Sequence, residues 1–145
     1  MPDQFDEIFD VLVIGSGCGG LTAALTADIS NPAKVLVIEK SHLIGGTSAT
    51  SGGVIWIPDN HLGKEKGAQD SISEAKEYLK ATIPADEFNE VLIDTYLDQG
   101  PKMVRFMEEN TDVRYTSLEQ YPDYFQDAPG VKLGNRALEP LPVSA

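Results

Sequence analysis

Three glycines and what flanks them constrain this chain more than any other feature. Gly15, Gly17 and Gly20 spell G-x-G-x-x-G, with an apolar run before them and a helical pattern after them. Residues 9–14 are rich in β-branched side chains and read as a strand buried on both faces, as in a parallel sheet. Leu21, Ala24, Leu25 and Ile29 then fall on one face of a helix, with Ala23 and Ala27 close to it, and Asn31 and Pro32 stop it. Residues 34–39 form a second apolar run. Strand, glycine turn, helix and strand make a βαβ unit over 9–39, for which a right-handed crossover is expected. In such a unit Gly15 turns the chain out of the strand, Gly17 lets a pyrophosphate approach the backbone, and Gly20 lets the helix pack on the strand. The free N–H groups and dipole of the first helical turn hold phosphate charge. Glu39 closes the second strand 19 residues after Gly20. A carboxylate there accepts hydrogen bonds from both hydroxyls of an adenosine ribose and repels a 2′-phosphate, which argues against NADP.

The βαβ unit alone does not choose between NAD and FAD. A second small-residue segment, 45–53, begins five residues past Lys40, where an NAD-dependent enzyme normally starts its next helix. Its backbone N–H groups suit an extended FAD reaching beyond its ADP half. A flexible linker is the simpler reading of the composition, but Val54, Ile55, Trp56 and Ile57 follow at once, so the segment is expected to pack. Residues 58–70 read as a surface loop. Ser71 and Glu74 have capping-box spacing and predict a helix over 71–81. Phe88, Val91, Leu92 and Tyr96 recur at helical spacing, Gly100-Pro101 breaks the pattern, and Pro101 suits the first turn of a new helix through Met103, Val104 and Met107. The helical segment thus spans 71–110. Residues 113–116 read as a short strand, and the tail over 117–145 reads as loop.

Composition narrows the class. The 145 residues carry a net charge of −12 with no Lys/Arg stripe, so nucleic acid is not an expected partner. A single cysteine, Cys18, rules out a disulfide within the chain and fits a reducing, cytoplasmic setting. At the head of the first helix the Cys18 backbone N–H matters more than its thiol. The start, MPDQFDEIFD, has acidic residues where a secretory signal has basic ones, and no apolar run reaches membrane-helix length. His42 and His61 stand alone, so no metal site is expected.

The runs VLVIGSGCGGLTAAL, VIEK and GGTSATSGGVIWIP together resemble flavoproteins of the fumarate reductase and 3-ketosteroid dehydrogenase group. Trp-Ile-Pro at 56–58 and YPDYF at 121–125 are most similar to the 3-ketosteroid Δ1-dehydrogenase branch. That resemblance implies that Gly15, Ser16, Gly17, Cys18 and Gly20 contact the FAD pyrophosphate. It places Glu39 on the ribose with Lys40 beside it, and Gly46, Thr47, Ser48, Ser51, Gly52 and Gly53 along the pyrophosphate and flavin side. It aligns Tyr124 with an active-site tyrosine that supports the catalytic base. Thr50 departs from the pattern, since that branch usually carries an aromatic there. For Tyr121, Tyr124 and Trp56, packing at a core edge is the competing reading.

The fold class these features imply is α/β: the N-terminal part of a Rossmann-like FAD-binding domain, its doubly wound parallel sheet incomplete, followed by helices. A doubly wound sheet needs strands on both sides of the first one, and only two are evident. The function expected is the FAD-binding portion of a dehydrogenase acting on a C–C bond beside a carbonyl, with a small-molecule substrate, a 3-ketosteroid first. Fumarate-reductase-like activity and a non-catalytic remnant are the alternatives. Oligomeric state is left open.

Overall fold

β-Branched, apolar residues build the first two strands. β1, Val11–Ile14, pairs in parallel with β2, Val35–Ile38, with Val11 opposite Val35 and Ile14 opposite Ile38. The crossover is α1, Cys18–Ser30, which packs against both strands. Its first turn is closed by Leu21 N–H donating to the Gly17 carbonyl, and its end by Asn31 N–H donating to Ala27. The computed structural model describes residues 7–31 and 33–143, so Pro32, expected to share in stopping α1, lies outside the described residues. The chain divides at the Gly53–Val54 bond into two compact units, Met1–Gly53 and Val54–Ala145.

In the first unit Ser16 is the one buried residue among those described. β1 was expected to be covered on both faces. It has β2 on one edge and, among the described residues, no further strand. Leu12 is accordingly 56% exposed and Ile14 79% exposed. The small-residue segment folds as a 3-10 turn over Gly46–Thr50 rather than a flexible linker. Gly45 precedes it with φ of +103°, and a Cβ there would also meet the Ala49 methyl at 2.6 Å.

The second unit holds the apolar core. Its antiparallel sheet has the order β3 (Ile55–Trp56), β5 (Ala137–Pro140), β4 (Tyr115–Ser117), with Leu138 opposite Ile55 on one side and Ser117 on the other. Ile57, Val104 and Leu138 form the centre, with Ile55, Leu62, Met103 and Tyr115 packed around them. Before β4 in the chain come three helices: α2 (His61–Glu65), α3 (Ile72–Thr82) and α4 (Glu90–Asn110). Ser71 caps α3 as its spacing predicted. Its Oγ accepts the Glu74 N–H and donates to the Glu74 carboxylate.

Three expectations are corrected. Residues 58–70 are not all loop, because Asn60 caps α2. Its Oδ1 accepts Gly63 N–H, and its Nδ2 donates to the Ile57 and Asn135 carbonyls. Gly100-Pro101 does not separate two helices; α4 runs through both. Pro101 withholds one N–H from the Leu97 carbonyl, while Leu97, Gly100, Val104 and Met107 make a continuous buried stripe that outweighs that loss. The apolar face expected farther upstream is solvent-facing at Val91 and Leu92. The tail is not all loop, since β5 lies at the centre of the sheet. Ala-Leu-Glu-Pro has weak strand character, and its two neighbours, β3 and β4, supply the ladder.

Candidate functional site

Ser16 organises the first unit around one buried hydroxyl. Its Oγ donates to Glu39 Oε2 at 2.6 Å and accepts the Gly45 N–H at 2.9 Å, and its own backbone N–H donates to the same Oε2 at 2.9 Å. One side chain therefore ties the β1–α1 turn to the end of β2 and to the second glycine segment. Cys18 N–H adds a bond to Ser48 Oγ at 3.1 Å, and Gly46 packs against the Gly17 backbone. Gly20 is required at its position, because a Cβ there would lie 2.1 Å from the Gly15 carbonyl oxygen.

Hydrogen bonds from the Ser16 hydroxyl, then the Ser16 and Ser41 N–H groups, hold the Glu39 carboxyl down to about 2 from its usual 4.5. The carboxylate is an anion throughout the physiological range. Three of its roughly four acceptor positions are filled by these bonds. A ribose hydroxyl would share the remaining acceptor capacity with the Lys40 N–H, which also helps to lower the Glu39 pKa.

Gly15, Ser16, Gly17, Glu39, Lys40 and Gly46 line one cleft of about 370 Å³. Cys18, Gly20, Thr47, Ser48, Ser51, Gly52 and Gly53 are not among its lining residues. Ser51 instead bonds locally, donating to the Ser48 carbonyl and accepting the Gly53 N–H. A Cβ built on Gly17 would meet only Ser48 Oγ, at 3.9 Å, so the backbone is open to a ligand there. With no acidic residue in the first turn of α1, its N–H groups are unopposed. These residues fit the ADP half of a dinucleotide.

The second unit has its own pocket, of about 340 Å³, within the ~300–1,000 Å³ usual for small-molecule sites. Val54, Trp56, Tyr78, Leu79 and Phe125 give it apolar walls, and Tyr121, Asp123 and Tyr124 give it polar groups. Hydrogen bonding to the Tyr124 phenol raises the Tyr121 pKa, so Tyr121 keeps its proton at neutral pH. Tyr124 is 81% exposed, which disfavours the reading of it as a packing residue. Trp56 packs: its ring lies 5.9 Å from that of Tyr78. Its Nε1 donates to Asp123 at 2.6 Å.

Beneath this pocket lies a buried ion cluster that the sequence reading missed. Arg136 is 1% exposed and sits between Asp70 and Asp123, with N···O distances of 2.7 and 2.8 Å, and over the Trp56 ring. Burial pushes Asp70 up and its neighbours pull it down; the Arg136 guanidinium and the Asp59 and Ser71 N–H groups prevail, leaving it below the usual carboxylate range. The partners lie 13 and 66 residues from Arg136, so no local spacing pointed to them. His61 is paired with Glu108 at 2.8 Å. Among the described residues, no group of three or more His, Cys, Asp or Glu side chains is placed to hold a metal, and no helix is long and apolar enough to cross a membrane.

Comparison with known proteins gives this geometry a lineage. Residues 10–137 match the family model described as FAD binding domain. The chain is 43% identical over 132 residues to a 4-oxocyclohexanecarboxylate 2-dehydrogenase of Sinomonas cyclohexanicum, covering 91% of this chain and 23% of that protein. It is 42% identical over 141 residues to a 3-oxosteroid 1-dehydrogenase of Mycolicibacterium smegmatis, covering 94% and 24%. Among solved structures, 3-ketosteroid Δ1-dehydrogenase from Sterolibacterium denitrificans, in complex with 1,4-androstadiene-3,17-dione, superposes with a TM-score of 0.83 at 42% identity, over 92% of this chain and 23% of that one. The chain thus spans about a quarter of the length of these relatives.

Proposed function

Since this chain belongs to the FAD binding domain family, we propose that it serves an FAD-dependent dehydrogenase acting on a CH–CH bond beside a ring ketone, with a 3-ketosteroid as the first substrate class. The observation that carries the reading is the tyrosine-rimmed apolar pocket of the second unit. Flat apolar walls suit a fused ring, and phenols suit a ketone oxygen or the proton leaving the carbon beside it. The ring-ketone dehydrogenases at 42–43% identity support it.

Bound FAD supplies a two-electron acceptor. The first unit's contribution is binding: the turn from Gly15 to Gly20 offers N–H groups to the pyrophosphate, Glu39 accepts from the ribose with Lys40 beside it, and Gly46, Thr47, Ser48, Ser51, Gly52 and Gly53 continue the cradle. The second unit's contribution is substrate handling. Tyr124 presents its Oη to the reacting end of the ring, with the Tyr121 phenol as its hydrogen-bond partner. A cytoplasmic location belongs to the same proposal and is supported by the lone Cys18.

Anaerobic mixing of the full-length flavoprotein with a 3-ketosteroid, 4-oxocyclohexanecarboxylate or succinate tests the reading. Bleaching of the flavin by the steroid is expected. Bleaching by the carboxylate alone would move the substrate to small ring ketones, and no bleaching by either ketone would sink the proposal.

A further inference from the structure

We infer that Asp123, held in place by Arg136, is the positioning residue for Tyr124; this rests on the reading that Tyr124 meets the substrate. Tyr124 sits on an exposed segment and its side chain has little packing of its own. Apart from the Tyr121 phenol, what aims it is the backbone that sets its Cα–Cβ direction, and that backbone is clamped at both neighbours. Asp123 N–H donates to the Lys132 carbonyl at 2.9 Å, and Phe125 N–H donates to Tyr78 Oη at 3.1 Å.

The Asp123 side chain is the stronger anchor. Its Oδ1 accepts Trp56 Nε1, and its Oδ2 accepts both Lys132 N–H at 2.9 Å and the Arg136 guanidinium at 2.8 Å. Every partner is a donor, so only a carboxylate satisfies all three. An asparagine must turn its NH₂ toward a donor in either flip. Arg136 in turn is fixed by two bonds to Asp70, which itself accepts the Asp59 and Ser71 N–H groups. The cluster is a buried footing on which an exposed phenol is mounted. Lysine at 136 supplies the charge without the planar fork that spans two carboxylates.

Two measurements on the full-length protein test this. In the unmodified protein, Asp123 and Phe125 amides should exchange at least about tenfold more slowly than those of Gln126 and Asp127; equal rates would overturn the clamp. With fluorotyrosine at position 124, Asp123→Asn should move the fluorine resonance toward that of the free amino acid while FAD content and far-ultraviolet dichroism stay unchanged. Turnover should fall about 10- to 100-fold with KM little altered. An unmoved resonance in a folded, flavin-loaded variant would overturn the proposal. If Asp123→Asn does not fold, the exchange rates alone decide. Normal turnover in Tyr124→Phe, alongside slow exchange at 123 and 125, would sink the catalytic reading of Tyr124 and leave the clamp standing.

Discussion

Ser16 shows how much one small side chain can organise. It is 2% exposed, and its hydroxyl joins the β1–α1 turn to groups 23 and 29 residues further along the chain. Ser16→Ala removes the largest cause of the lowered Glu39 pKa and leaves the Gly45 N–H without its acceptor. The Glu39 pKa should therefore rise from about 2 toward 4.5, as followed by carbon-13 titration of the carboxyl. The sign of the stability effect follows. A carboxyl with a depressed folded pKa contributes stability above its unfolded pKa and loses it as pH falls through the folded one. In the parent chain that loss spans pH 4.5 to 2, and Ser16→Ala should flatten it. An unchanged titration would show that Ser16 does not govern this carboxylate.

Helix ends and interiors follow different rules, and α3 and α4 illustrate both. Ser71→Ala removes a cap that bonds the Glu74 N–H, and should cost ~1 kcal/mol in urea unfolding. Pro101 lies inside α4, where it forgoes one backbone bond. Pro101→Ala should stabilise the second unit by ~1–3 kcal/mol, the restored bond being partly offset by a more flexible unfolded chain. A destabilised Pro101→Ala would mean that the ring itself packs in a way alanine cannot replace. Local propensity alone makes the proline a helix boundary. The buried stripe from Leu97 to Met107 overrides it. β5 repeats the lesson in a sheet: a run of weak propensity becomes the central strand because it has a partner on each side.

Across the whole molecule the two units differ sharply in what they bury. The second holds Ile57, Leu97, Val104 and Leu138 out of water, whereas in the first unit no apolar side chain among those described is buried. Leu12 and Ile14 stand exposed, and each forgoes roughly 1.5–3 kcal/mol relative to burial. Against a net stability of about 5–15 kcal/mol, that loss is decisive for a small unit. In the 145-residue chain, amides of β1 and α1 should exchange much faster than those of β5 and α4, and purified chain should retain little FAD. Strong protection across both units, with stoichiometric flavin, would show that the first unit is self-sufficient.

What is local can be read from residue order. The glycine spacing, the helix that follows it, the Ser71 cap and the carboxylate at Glu39 all act over a few residues or one βαβ unit, and backbone sterics and short-range hydrogen bonds set them. The FAD assignment was legible for the same reason, since its carriers lie in two contiguous segments. Only the folded chain shows that Ser16 takes two of Glu39's acceptor positions, that α4 runs through a proline, and that Arg136 joins Asp70 to Asp123 beneath Tyr124. Each depends on atoms brought together from distant parts of the chain. Buried charges must find partners wherever the fold places them, and sequence spacing does not record where that is.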